Sequence, residues 1–224
     1  MRQRGTLTVI TGTMSSGKTS KLVRELEQMN RYGRKTFIAF KAVIPQEGAR
    51  DPEGWLESKE NGGRRIPAIS VPTDRPSDIL AHLITQERRV DVVGIDETQF
   101  FPETPGLWTV ADKILSLGYD VVAAGLDLDF AGRPFGSTPK LLALADTVVK
   151  LTAFCDKCGS PARLPQRLTP SGEPESYFAD LIRLDRSETA GRKLYETRCY
   201  QCHEVRDKPA LFVINVTEPK TPSA

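Results

Sequence analysis

The chain has 224 residues, and its 31 Lys and Arg nearly balance its 29 Asp and Glu, for a net charge of +2. That length supports a real core without external staples, as one large domain or a medium one with a small companion. The near-neutral balance argues against a strongly electrostatic nucleic-acid binder, no apolar run is long enough to span a membrane, and the start Met1-Arg2-Gln3-Arg4-Gly5 leads into no signal-type segment, so a cytoplasmic protein is expected.

Leu7-Thr8-Val9-Ile10-Thr11 is β-branched and apolar, and it predicts a buried strand. Gly12-Thr13-Met14-Ser15-Ser16-Gly17-Lys18-Thr19 follows and fits G-x-x-x-x-G-K-[ST], the loop that wraps nucleotide phosphates. Ser20 to Met29 then places Leu22, Val23, Leu26 and Met29 at helical spacing. Strand, glycine loop and helix form the context that this motif needs. Glycines let backbone N–H groups converge, and the helix N-terminus adds partial positive charge. Lys18 is then expected on the β- and γ-phosphates, and the Thr19 hydroxyl on Mg²⁺.

Thr36 to Phe40 predicts a second buried strand, and Lys41 to Arg65 a long loop of Gly, Pro and charge with Trp55 and Leu56 as its apolar points. Ile66 to Val71 predicts an edge strand because Pro67 disfavours a central place. Pro76 to Ile84 predicts a short helix. Val90 to Glu97 is an apolar strand ending in two acids, and Trp108 to Leu117 predicts a helix closed by Gly118. Asp120 to Leu126 is a further buried strand, Leu141 to Ala145 a helix, and Thr147 to Leu151 the last strand of the unit. Strands alternating with helices imply a parallel α/β sheet, with ligands at the carboxyl ends of its strands.

Asp96 and Glu97 complete the nucleotide half. A carboxylate ending a buried strand beside a glycine loop holds Mg²⁺, which fits Asp96. Glu97, one residue on, faces the other side or the cleft. There it accepts the proton of an attacking hydroxyl, or orients water in an ATPase. Phe100, Phe101, Phe130 and Phe135 cluster after two strand ends. They either clamp a flat base, with Gln99 supplying directional hydrogen bonds, or simply pack the core and rim, which spacing alone favours.

Composition turns polar at Phe154-Cys155. Cys155-Asp156-Lys157-Cys158 and Cys199-Tyr200-Gln201-Cys202 are C-x-x-C pairs with 40 residues between them. Two pairs in a chain without an export signal favour four thiolates on one structural Zn²⁺ over a redox pair or free thiols, and His203 is an adjacent substitute ligand. The expected organisation is a nucleotide-binding domain over 1–153, a small metal-bound domain over 154–207 and a tail over 208–224. In that tail Leu211-Phe212-Val213-Ile214 is expected to dock as a strand before a frayed end.

Taken together, the loop Gly12 to Thr19, the run Asp96-Glu97-Thr98-Gln99-Phe100-Phe101, Gly125-Leu126-Asp127 with Phe130 and Arg133-Pro134-Phe135-Gly136, and Tyr195-Glu196-Thr197-Arg198-Cys199 resemble the type II, zinc-containing thymidine kinases over roughly nine-tenths of the chain. The resemblance implies a P-loop NTPase-like parallel sheet flanked by helices, plus a small zinc-bound domain whose lasso-like loop closes over the nucleoside. It implies ATP- and Mg²⁺-dependent phosphorylation of the thymidine 5′-hydroxyl, in deoxynucleoside salvage for DNA synthesis. It also implies a homo-oligomer, commonly a tetramer, restrained by the triphosphate end product. By position Glu97 matches the family's base and Asp96 its Mg²⁺-associated acid. Met14, Phe100, Leu126, Phe130 and Phe135 match residues around the nucleoside, and Tyr195 the lasso tyrosine. Departures cluster on the acceptor side. Thr13-Met14-Ser15 stands for the family's Pro-Met-Phe, Ser58-Lys59 for its Ser-His, Pro165 for a threonine near the thymine methyl group, and Ala190-Gly191 for Gly-Gly in the lasso, Asp185 to Leu194. Arg50 is the nearest candidate for its phosphate-contacting arginine. The rival readings are a divergent kinase for another pyrimidine deoxynucleoside, and a zinc-ribbon P-loop ATPase or nucleotide sensor that binds nucleic acid.

Overall fold

A computed structural model describes residues 3–44, 54–58, 63–104, 106–183 and 193–210. Arg50, Lys59, nearly all of the expected lasso, and the run Leu211-Phe212-Val213-Ile214 lie outside the described residues.

Six parallel strands form the central sheet: β1 (Leu7–Thr11), β2 (Phe37–Val43), β5 (Ile69–Pro72), β6 (Val92–Asp96), β7 (Asp120–Gly125) and β8 (Thr147–Lys150), in the order β5-β2-β6-β7-β1-β8. Strand side chains alternate between two cores, as a period of two requires. Leu7, Val9, Val93, Ile95, Val121 and Ala123 face one; Ile10, Val92, Val122 and Ala124 face the other. The first core is covered by α2 (Ser77–Ile84), α3 (Leu107–Ser116) and α4 (Thr138–Leu144). The second is covered by α1 (Lys18–Arg31) through Leu22, Val23 and Leu26. Gly94 permits that approach, because a Cβ there would fall 2.5 Å from Leu26 Cδ1. No helix among the described residues is long and apolar enough to cross a membrane.

Two sequence expectations change. The stretch from Lys41 to Arg65 is not all loop: β2 runs on to Val43, and a short antiparallel hairpin pairs β3 (Trp55–Glu57) with β4 (Arg65–Pro67). Leu56 and Ile66 from this hairpin cap the α1-side core, and Arg65 stacks on Trp55 with Cζ 4.7 Å from the ring centroid. The expected strand from Ile66 to Val71 is therefore split. Pro67 belongs to the hairpin, and the sheet edge is β5, which Pro72 closes.

The cysteine-bracketed region is two small antiparallel ribbons, β9 (Ala153–Phe154) with β10 (Pro161–Ala162) and β11 (Leu164–Arg167) with β12 (Tyr195–Arg198). Among the described residues its apolar cluster around the cysteines is Cys155, Ala162 and Cys199, with Cys202 against it, and Leu164, Leu168 and Leu194 are also buried in this region.

Candidate active site

β6, β7 and β1 are neighbours, so their carboxyl ends bring Asp96, Leu126 and the glycine loop side by side. Gly12 (φ 143°) and Gly17 (φ 83°) hold conformations that L side chains rarely adopt, and Ser15 (φ 56°) joins them in the left-handed region. The loop thus folds back before α1 begins at Lys18. The Lys18 ammonium and the Ser16 hydroxyl both donate to the Thr13 carbonyl at 2.8 Å. Burial pulls the Lys18 pKa below its ordinary value, against the opposing charges of Glu97, Asp96 and Asp127.

Asp96 is buried at the tip of β6. Its Oδ2 accepts from the Thr19 hydroxyl at 2.8 Å and its Oδ1 from the Glu97 N–H at 2.9 Å. Burial, and then the Glu97 charge, raise its pKa to about 7. A hydroxyl and a hard carboxylate in contact beside a phosphate loop are the donor set that a divalent cation takes, so the residues fit Mg²⁺. In the metal-free protein the folded state holds the Asp96 proton more tightly than the unfolded chain. This group's contribution to stability is therefore fully present below about pH 4 and is lost as pH rises towards 7. Asp96→Asn mimics the protonated form. Its melting temperature relative to wild type should climb between pH 4.5 and 7.5 in EDTA; a pH-independent difference would contradict the shift.

Glu97 follows with φ 58°, a left-handed conformation that costs a non-glycine residue about 1–2 kcal/mol. The break ends the strand alternation and turns the residue to the cavity wall, ahead of a 3₁₀ turn over Thr98–Phe100. That cavity has a volume of about 570 Å³. Ser15, Lys18, Thr19 and Glu97 line it, and so do all seven expected nucleoside residues: Met14, Gln99, Phe100, Leu126, Phe130, Phe135 and Tyr195. Phe100 and Phe135 meet edge-to-face at 6.0 Å, so the aromatics pack on each other as well as facing the cavity. Gln99 does not offer a free amide. Its Nε2 donates to Glu97 Oε2 at 2.6 Å and its Oε1 accepts from the Leu126 N–H at 2.9 Å.

Sequence reasoning missed Glu57, Asp129, Leu181, Ile182 and Arg183 in the lining. Leu181-Ile182, an apolar pair in a polar stretch, was the available signal; a lone Glu57 carried none. Pro165, noted only as a departure, also lines the cavity. The Tyr195 hydroxyl donates to the Arg183 carbonyl at 2.7 Å, which ties β12 to the wall formed by Leu181, Ile182 and Arg183.

The four cysteine Sγ atoms lie within 4.8 Å of one another, with Cys158 and Cys199 at 3.7 Å. A tetrahedral ion with Zn–S near 2.3 Å sets its thiolates about 3.8 Å apart. Each pair sits in the same turn: Gly159 N–H donates to Cys155 O and His203 N–H to Cys199 O. The Ser160 hydroxyl holds Cys158 down to about 6, while hydrogen bonding with Cys158 pushes Cys202 up to about 12. Four sulfurs this close are compatible with Zn²⁺, which would hold them as thiolates. His203 is engaged elsewhere, its Nε2 2.9 Å from the Phe130 carbonyl. The Thr197 hydroxyl donates to the Met14 carbonyl at 2.9 Å and joins the cysteine-bracketed ribbons to the glycine loop.

A protein-family model described as thymidine kinase matches residues 5–203.

Proposed function

The chain belongs to the thymidine kinase family, and from that premise we propose that it transfers the γ-phosphoryl group of ATP to the 5′-hydroxyl of thymidine. One observation carries the reading: phosphate-loop residues, the Glu97 carboxylate and an aromatic chamber share a single cavity, with Asp96 behind it on the Thr19 hydroxyl. An ATPase needs only the first two of these.

In this reading the loop amides and Lys18 hold the β- and γ-phosphates. Thr19 and Asp96 hold Mg²⁺, which when bound offsets charge on the phosphates. Phe100, Leu126, Phe130, Phe135 and Met14 enclose the nucleoside, and Tyr195 closes it. O5′ bonds to the γ-phosphorus as the bond to the β-phosphate oxygen breaks, ADP leaves with that electron pair, and Glu97 takes the O5′ proton. The Cys155, Cys158, Cys199 and Cys202 thiolates hold a structural Zn²⁺, suited to a reducing compartment such as the cytoplasm. A homo-oligomer follows from the family resemblance, and light scattering of the purified protein tests it.

The deciding experiment is ATP consumption with thymidine, deoxyuridine, deoxycytidine or no nucleoside, with mass spectrometry of the product. ADP should form only with nucleoside, alongside the thymidine monophosphate mass. ATP turnover without nucleoside would sink the kinase reading. A second reading, a kinase for another pyrimidine deoxynucleoside, is favoured by Pro165 in the cavity wall, which has no hydroxyl to offer a base. It predicts thymidine ranking well below the other two. Lys18→Met should lower kcat about 10²–10³-fold, the scale of losing one charged donor to a developing negative charge. Steady-state kinetics at saturating ATP checks this.

A further inference from the structure

We propose that Gln99 is a positioning residue for Glu97 and not a reader of the nucleoside base. The inference rests on the kinase reading above. Gln99 is 2% exposed, and its amide bridges two strand ends, from Glu97 after β6 to Leu126 after β7. The direction of the amide is chemically determined. The Leu126 N–H can only donate, so it must face Oε1; the Glu97 carboxylate can only accept, so it must face Nε2. A flipped amide would oppose two donors at one end and two acceptors at the other. The bridge therefore fits a carboxylate at 97 and orients it.

Space for the bridge is built into the backbone. A Cβ at Gly125 would lie 2.8 Å from Gln99 Oε1, and a Cβ at Gly136 would lie 1.9 Å from the Gln99 carbonyl oxygen. Two glycines thus let the main chain close on both ends of this one residue. Its neighbour is fixed as well, with the Thr98 and Thr138 hydroxyls 2.8 Å apart in the interior. Glu97 needs such support, because its left-handed backbone alone does not set where the carboxylate points. With Oε2 held by Gln99, Oε1 is the oxygen presented for a substrate proton. A 1 Å misplacement of a reacting group costs on the order of 10²-fold in rate.

A base reader and a positioning residue separate cleanly in kinetics. Gln99→Met keeps length and apolar volume and removes both hydrogen bonds. It should lower kcat for thymidine about 10–100-fold, change KM less than about 2-fold, and leave the ranking of thymidine, deoxyuridine and deoxycytidine unaltered. Gln99→Glu sets a second carboxylate beside Glu97 and should move the acid limb of the kcat profile to higher pH. Calorimetric binding of 5′-deoxythymidine, which has no hydroxyl to phosphorylate, should be equal in wild type and Gln99→Met. Unchanged ATP affinity and melting temperature within a few degrees exclude a folding defect. If Gln99→Met instead raises KM or the 5′-deoxythymidine Kd tenfold with kcat intact, or reorders the nucleosides, Gln99 reads the base and the proposal falls. An unchanged kcat overturns it as well. A wild-type protein that phosphorylates no nucleoside overturns the proposed function itself, a result distinct from all of these.

Discussion

Glu97→Gln should lower kcat for thymidine by about 10²–10⁴-fold, the range for loss of a positioned general base, while leaving the affinity for ATP nearly unchanged. Glutamine is isosteric, keeps an oxygen acceptor and makes the same demand on the left-handed backbone at φ 58°. What it loses is the capacity to take the O5′ proton. A second effect has to be separated from this one. The Glu97 charge, after burial, helps raise the pKa of Asp96, so the variant also makes Asp96 easier to ionise. Any loss acting through Asp96 would vary with pH below about 7, whereas loss of the base persists above it. Pre-steady-state transfer at pH 6, 7 and 8, with KM for ATP measured alongside, checks both. Near-normal turnover would remove Glu97 from its assigned role.

Cys199→Ser should abolish zinc retention and reduce thymidine phosphorylation by more than about 100-fold. The reason is energetic. Among the described residues the cysteine-bracketed ribbons bury a handful of apolar side chains, whereas structural Zn²⁺ contributes on the order of 10–16 kcal/mol of apparent binding energy in small zinc-dependent folds. Cys199 directly follows β12, which carries Tyr195 to the cavity and Thr197 to the Met14 carbonyl. Losing the ion releases all three. Zinc content by plasma mass spectrometry, circular dichroism and kcat test the chain of effects together. A variant that keeps stoichiometric zinc and activity would rule out the four-thiolate site.

The glycine loop was legible in the sequence because its constraint is local: two glycines, a lysine and a hydroxyl at fixed spacing between a strand and a helix. Asp96 and Glu97 were legible for a related reason, since an apolar run that ends in acids marks a strand end. The paired cysteines carried their own geometry. What the sequence hid is direction. The side chain of Gln99 reads as a base reader from its neighbours Phe100 and Phe101, and only the fold reveals that its amide spans two strand ends. Leu181, Ile182 and Arg183 enter the cavity wall through long-range packing that no local period encodes. The Trp55 hairpin reads as loop in the sequence because each of its strands is three residues long, too short for alternation to register. The aromatic cluster stayed ambiguous between core and binding wall, and the two readings coexist: Phe130 and Phe135 are buried and also line the cavity.

The hydrogen bond from Thr197 to the Met14 carbonyl bears on how such a protein can be recombined. Residue 14 belongs to the glycine loop, and residue 197 to the ribbon that leads into the cysteine cluster. Transplanting the cysteine-bracketed segment from a relative to change acceptor preference would also replace the partner of the loop backbone, without altering one residue of 12–19. Exchanges at this seam therefore succeed as a matched pair, with the side chain at 197 able to donate to the main chain at 14. Under the proposed function, phosphate handling and nucleoside choice are for that reason not independent modules.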